Sequence, residues 1–505
     1  MHFDLRPVRI VALCTYLLLL TWGIRSNPPT SVFPYFKRKA QAKSEVIPEQ
    51  EQLMGDTRTA LSNTYHPTTS RPHHSKNLHA HHLTSSQTSQ PTKLRIDQLV
   101  DELTTTTTVS IIRSTTSSAV VSKGLGLNGR PKLPVQPEAQ YPSPSDDGSG
   151  LDTLHIQFYV DSILDIENAK FWRMNCEGQD QPRPRYEVLQ NIAMEDPGIK
   201  YLFALDLVNV IEILPRLMSS ILQTIKYLGI EHCAISIIEG RSFDGTYLVL
   251  HELRQHFDDL GIQYWLHRSN IDPNEEGKDR IAELSKLRNL ALDPLRTKPG
   301  DFSETPLIFF INDIAVCPDD LLEMLYQHLL QDATQTCAFD WVEGGELFYD
   351  CWVSRSMSGN TFFELPQDMT WAFSRNLFWD EPISKDKYDM KQPLQVFSCW
   401  GGMTVINAEP FQNGQLEFRR NDEGECYGGE PQFLGSDLVK LNMSRVQAIP
   451  YINVAYSNHE GQMTKDKHGY VPEFVNVTKA IGAFEEDDVT ERIRWRKPPP
   501  RYRCM

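Results

Sequence analysis

Between Tyr201 and Gln331 short apolar runs alternate with stretches of helical periodicity, and this alternation limits the fold more than any other feature of the chain. Tyr201–Leu205, Cys233–Ile238, Ile262–Leu266 and the wholly apolar Leu307–Ile311 have the length and composition of buried strands. Helices are expected over Ile211–Leu228, Thr246–Leu260, Ile281–Leu292 and Asp319–Gln331. Gly229 and Gly261 follow the first two as stop signals. In the last, Leu321, Leu322, Leu325 and Leu329 share one face. Such alternation predicts an α/β fold whose mainly parallel sheet is covered by helices on both faces.

In sheets of this kind ligands collect beyond the carboxyl ends of the strands. The residues that follow each strand are therefore the ones to read for function. Asp206-Leu-Val-Asn209 follows the first strand, Glu239-Gly-Arg-Ser242-Phe-Asp244-Gly-Thr246 the second, and Asn312-Asp313 the fourth. Carboxylates thus converge on one sheet edge, as a nucleotide-sugar site would require. Asn209, Glu239, Ser242 and Asp244 could bond a base or ribose. Asp313 could ligate a divalent ion that bridges a diphosphate. Arg288 and Asn289, inside the third helix, could reach the phosphates. Each has a plainer reading. Ser-Phe-Asp-Gly-Thr is also a turn with a helix N-cap. Asp313 could simply close its strand, and Arg288 could lie on a solvated helix face.

Charge divides the chain. Residues 1–150 carry 16 Lys and Arg against 11 Asp and Glu, and residues 151–505 carry 34 against 55. An acidic body repels phosphate backbones, which argues against nucleic acid as a partner. Ile10–Ile24 contains no charged residue and follows Arg6 and Arg9. Its 15 residues would span about 22 Å as a helix, short for a bilayer core of about 30 Å unless Val8 and a snorkelling Arg9 extend it. Without a small-x-small cleavage site, residues 1–25 read as a cytoplasmic tail and signal anchor, with a cleaved signal as the other reading. Residues 26–150 cannot bury enough apolar surface to form a core, and positions 101–120 hold 11 Ser or Thr. They read as a disordered Ser/Thr/His-rich stem. The lumenal body is expected over 151–480 and an extended tail, able to tether a partner, over 481–505. Eight cysteines lie beyond the anchor without a CxxC pair, as suits an oxidising compartment better than a zinc site. Asn442-Met-Ser444 and Asn476-Val-Thr478 are glycosylation sequons.

A run of motifs adds a resemblance. SIIEGRSFDGT, RIAELSKLRNLALDPL, IFFINDIAVCPDDLLEMLYQ, TCAFDW, FYDCWVSR and QVFSCWGGMTV occur in order over roughly residues 195–460. This series resembles the fungal CAP59 family, which includes cryptococcal capsule-associated proteins and an α-1,3-mannosyltransferase. The resemblance implies a GT-A-like nucleotide-sugar-binding domain in a single-pass type II Golgi membrane protein. It implies transfer of mannose from GDP-mannose to a glycan acceptor with retention, and a divalent metal, most often Mn²⁺. Asp313 stands where such enzymes carry an Asp-x-Asp motif, but here the motif reads Ile311-Asn312-Asp313. Asp340 of CAFDW, Asp350 of FYDCW and Glu430 are the catalytic candidates, with no nucleophile assigned. Trp352 could stack on a sugar or belong to the core. Gly401 replaces the usual Asn of the SCWNG segment, and positions 431 and 435 lack the family's cysteines. These departures keep a second class open, a non-catalytic accessory or scaffold protein in polysaccharide assembly.

Overall fold

The computed structural model describes residues 148–165, 171–176, 182–366, 370–479, 492–500 and 502–504. The expected anchor, and the expected stem up to residue 147, lie outside them. Among the described residues no helix is long and apolar enough to cross a membrane.

The described strands are β1 (Ile199–Leu207), β2 (Cys233–Glu239), β3 (Gln263–Arg268), β4 (Phe302–Ile311), β5 (Gln335–Val342), β6 (Leu347–Phe348), β7 (Leu394–Gln395), β8 (Met403–Asn407) and β9 (Val446–Ala455). They form one sheet in the order β3-β2-β1-β4-β8-β5-β9-β7, with β6 attached to β5. The four strands expected from the apolar runs are all present and mutually parallel. β9 runs parallel to β5, while β8 lies antiparallel between β4 and β5. The architecture is therefore α/β with a mostly parallel half and an antiparallel insertion.

Helices α1 (Thr153–Leu164), α2 (Glu187–Glu195), α3 (Leu214–Leu228), α4 (Thr246–Leu260), α5 (Arg280–Ala291), α6 (Pro318–Leu330), α7 (Glu430–Lys440) and α8 (Asn458–His468) surround the sheet. Gly229 and Gly261 end α3 and α4 at φ 101° and 79°, a region that favours glycine. Successive β-strand side chains point to opposite faces, so the alternation in β4 supplies two cores. Phe309 packs with Phe203, Leu217, Leu321 and Leu325 on one side. Phe310 packs with Leu287, Trp400 and Leu434 on the other. Each such ring, buried in full, contributes about 1.5–3 kcal/mol.

The polar side of α6 is buried as well. Arg185 grips Glu323 through two hydrogen bonds of 2.9 and 3.1 Å, and Tyr451 Oη donates to the same carboxylate at 2.9 Å. Lys465 pairs with Asp320 at 2.6 Å, both nearly inaccessible. The helix is thus fixed by paired buried charges, whose separation would leave one of them uncompensated.

Disulfides join Cys176 to Cys317, Cys337 to Cys399 and Cys426 to Cys504, while Cys233 and Cys351 are buried thiols. The last bond staples the C-terminal tail to the body. Trp495 Nε1 donates to Gln331 O at 3.1 Å, and Gln395 Nε2 donates to Arg496 O at 2.8 Å. The tail therefore packs along its own domain.

His328 of α6 sits between Thr336 Oγ1 (3.0 Å, β5) and Asn407 Oδ1 (2.8 Å, β8), and burial pushes its imidazole down to about 4. The unfolded imidazole binds its proton near pH 6.5, so stability is full above that value and is lost as pH falls towards 4. We expect His328→Gln to flatten the stability profile across this window by up to about 1.4 kcal/mol per pH unit. Denaturant titrations at several pH values check this; an unchanged slope removes His328 from the acid response.

Candidate functional site

The chain leaves β1 towards β2 on one side and returns as β4 on the other, so the sheet changes direction between β1 and β4. Ligand crevices form beyond strand carboxyl ends at such a switch. Here Asn209, Asp244 and Asp313 line a cavity of about 840 Å³.

The loop after β1 is held by the loop after β2. Asn209, at φ 53°, donates its N–H to Ser242 Oγ at 2.8 Å, and its Oδ1 accepts from Phe243 N at 3.0 Å. Asp244 accepts from Ile211 N and Thr246 N, each at 3.0 Å, while still facing the cavity. Asp244 thus combines the turn and the cavity-facing readings. Glu239 lies deeper. It accepts from Ser242 N at 2.5 Å, pairs with Arg268 at 3.1 Å, and is raised in pKa by burial. Glu239 and Ser242 are placed to hold Asn209 and do not line the cavity.

Asp313 follows β4 and faces the cavity. Burial pushes its carboxyl up to about 7, and the charge of Asp206 adds to the rise. Asp206, near the end of β1, is also pushed up to about 7 by burial; Arg288 opposes that rise and Glu430 reinforces it.

Arg288 is not on a solvated face. Its guanidinium lies 4.0 Å over the Trp400 ring and its Nε is 2.7 Å from Glu430 Oε1. Asn289, next to it on α5, forms a two-way bond with the Phe418 backbone at 2.8 and 2.9 Å. That amide pins the 418 loop to α5 and is placed as a structural tie.

Asp340 of β5 is fully buried and accepts from Tyr456 Oη at 2.6 Å; among the described residues its other oxygen has no hydrogen-bond partner. Burial and the neighbouring Asp350 hold its carboxyl well above the usual range. Asp350 accepts from Gly401 N at 2.7 Å. Burial pushes Asp350 up to about 6, against the pull of that bond and of Arg288. Asp206, Asp350 and Glu430 therefore share the field of Arg288, with Asp313 coupled to Asp206 and Asp340 to Asp350. Each carboxyl that stays ionised in so dry a place needs a cation, a donor or a hydroxyl.

Two motif readings are resolved by geometry. Gly401 stands at φ +63°, and a Cβ there would meet Ala338 O at 2.0 Å. The small residue serves a close approach of backbone to β5, so no acceptor space opens above it. Trp352 is 47% exposed and lies outside the cavity lining, which excludes a core role. Glu425 and Asp437 are bound by Arg419 at 2.6 Å each. Among the described residues no three His, Cys, Asp or Glu groups form a closed metal cage. A divalent ion shared with a diphosphate needs only one or two protein carboxylates, and Asp313 is the strand-end carboxylate on the β4 side that faces the cavity.

Sequence periodicity did not disclose the aromatic part of the lining: Tyr159, Phe171, Trp172, Tyr349, Trp371 and Tyr456. Adjacent aromatics at Phe171-Trp172 and the Phe-Tyr-Asp motif were the available signals.

If the two strand-end carboxylates share one field, Asp206→Asn lowers the pKa of Asp313 from about 7 while leaving the burial contribution in place. Carboxyl-carbon NMR titration reads this directly; an immobile Asp313 would show that burial alone sets its value.

Residues 200–437 match the family described as cryptococcal mannosyltransferase 1, which bears out the resemblance over that segment. The chain is 32% identical over 305 residues to the α-1,3-mannosyltransferase CMT1 of Cryptococcus neoformans, covering 58% of this chain and 64% of that protein. It therefore spans somewhat less than two thirds of that relative. Among solved structures, Staphylococcus aureus TarS (residues 1–349) superposes with TM-score 0.31 and 10% identity over 51% of this chain and 60% of that one. A Pyrobaculum calidifontis mannosyltransferase in complex with GDP-Man and Mn²⁺ gives 0.29 and 9% over 54% and 64%. Overlap at that level carries no argument about fold or ligand.

Proposed function

We propose that this chain is a retaining mannosyltransferase of GT-A-like fold that moves mannose from GDP-mannose to a mannose-containing glycan through an α-1,3 linkage. The observation that carries the reading is the placement of Asp313, facing the cavity at the β1/β4 switch. The similarity to an α-1,3-mannosyltransferase supports the sugar and the linkage. On this reading Asn209 and Asp244 meet the base and ribose, because they border the cavity at the ends of β1 and β2.

Asp313 would hold the divalent ion, most plausibly Mn²⁺. The cation would offset the charge of the diphosphate, which matters because no Lys or Arg among the described residues lines the cavity. Arg288 would act one layer below. Paired with Glu430 and fixed on Trp400, it holds Asp206 and Asp350 closer to ionisation. Asp340, oriented by Tyr456, and Asp350, oriented by Gly401, present carboxyl groups on the β5 side of the cluster. Neither lines the cavity, so on this reading they support Tyr456 and the 401 turn behind the donor site. The bond from acceptor oxygen to the sugar's anomeric carbon forms on the face the leaving group vacates. The bond from the anomeric carbon to the β-phosphate oxygen breaks, its electron pair leaves on that oxygen of GDP, and the acceptor proton passes to the departing diphosphate. The same reading keeps the chain a single-pass type II Golgi protein with a lumenal body.

The test is transfer by the purified full-length protein from GDP-mannose to mannobiose with Mn²⁺. We expect turnover, and a loss of about 10²-fold or more in Asp313→Asn. The variant should melt no lower, since the amide removes a charge that burial disfavours. Undiminished turnover in Asp313→Asn would exclude the residue from the site. Glycan binding without any turnover would favour the scaffold class instead.

A further inference from the structure

The cavity has two aromatic walls. One belongs to α1 and to a short strap, residues 171–176, that borders it. Tyr159 of α1 stacks on Phe171 with ring centres 4.2 Å apart, and Trp172 follows, 63% exposed. The strap is bonded to α8 and to Cys317. Met174 N donates to Asn458 Oδ1 at 3.1 Å, Asn175 N donates to Gln462 Oε1 at 2.9 Å, and Cys176 is disulfide-bonded to Cys317. Asn458 also donates to Glu212 O at 3.0 Å, so strap, α8 and the β1 loop meet at one amide. The other wall is Tyr349, which contacts both Trp371 (6.1 Å) and Tyr456 (5.0 Å).

The polar groups between these walls have one sign. Glu212, Asp244, Asp313, Glu343 and Glu460 line the cavity, and among the described residues no Lys or Arg does. Glu343 is a non-glycine residue at φ 54°, a conformation retained where the surroundings demand it. Flat apolar faces with five carboxylate acceptors in the lining, beside Ser457 and His459, suit a ligand with apolar ring faces and many hydroxyl donors. They do not suit an anion, whose charge would meet carboxylates in a poorly solvated space. At about 840 Å³ the cavity is near the upper end of ordinary ligand sites, about 300–1,000 Å³, so it has room beyond one sugar.

We propose that the part of the cavity between the two aromatic walls binds the acceptor as an uncharged glycan, stacked on Trp172 and Trp371 with its hydroxyls donating to Glu343 and Glu460. The acidic lining turns away acceptors that carry a carboxylate or a phosphate. The name "acceptor" rests on the transferase reading; the binding preference does not.

Trp172, Trp341 and Trp371 line the site, so intrinsic fluorescence of the full-length protein reports occupancy. Mannotriose and its monophosphorylated form are titrated with and without GDP and Mn²⁺. The expected result is saturable binding of mannotriose, with the phosphorylated form at least about tenfold weaker. Trp371→Ala should weaken mannotriose about tenfold, read by calorimetry to avoid the lost fluorophore. Glu343→Lys should bring the two ligands within about threefold of each other. Raising the salt should narrow the gap without altering mannotriose, a check that needs no variant. Equal affinities for the two ligands, no mannotriose binding under any condition, or a gap indifferent to both salt and Glu343 would overturn the proposal. A parallel GDP-mannose titration separates the two readings. Mannotriose binding without donor binding keeps the cleft and removes the transferase; donor binding without mannotriose does the reverse.

Discussion

A single buried guanidinium organises the carboxyl edge of the sheet. Arg288 comes from α5, rests on Trp400 and pairs with Glu430 at the start of α7. Trp400 in turn donates from Nε1 to Asn312 Oδ1 at 3.1 Å, and Asn312 N donates to Gly402 O at 2.9 Å. Gly401, between them, binds Asp350. Two helices, the end of β4 and the turn before β8 therefore meet at one cation. Burying such a charge is costly unless it is paired, and the pairing here is with groups that themselves need a positive neighbour. Removal of the guanidinium would leave several buried carboxyls without their nearest counter-charge, so its effect would reach well beyond one contact.

The sheet's parallel half was legible because its strands are long, apolar and separated by helices with glycine stops. Tyr201–Leu205 grew at both ends, since flanking residues such as Lys200 and Asp206 were polar enough to hide their strand pairing. The antiparallel insertion was not legible. β8 has five residues, pairs on both sides and is almost wholly buried, so it shows neither alternation nor helical period. The strap was missed for a different reason. Nothing local makes α1 and residues 171–176 border a cavity; the position of the latter follows from bonds to Asn458, Gln462 and Cys317, far away in sequence.

The site was legible at the level of strand ends and obscure at the level of single atoms. Asn209, Asp244 and Asp313 reach the cavity because the fold rule locates the crevice. Glu239, Ser242 and Asn289 are polar residues in the same motifs, yet backbone groups claim their side chains. Composition cannot distinguish a carboxylate that faces a ligand from one that satisfies a buried N–H, because both demands select the same residue types. The distinction depends on which loop amides lack a partner after folding.

The distribution of charge gives the cleft its chemical character. Its cations lie beneath the sheet edge, engaged with Glu430 and stacked on rings, while the surface offered to a ligand is acidic and aromatic. A diphosphate entering such a space meets repulsion from every side chain that is ionised, so favourable binding requires a counter-ion to arrive with it or before it. Once the pair is neutralised, the low polarity of the aromatic walls strengthens the remaining interactions. On the proposed reading, a cation held at Asp313 would supply the counter-charge a departing diphosphate needs. On the same reading, the lack of Lys or Arg in the lining among the described residues makes activity conditional on the ion, whereas a lysine or arginine in the same place would bind donor and product alike without it. The acidic lining would thus reduce product retention, because a diphosphate that loses its ion is again repelled.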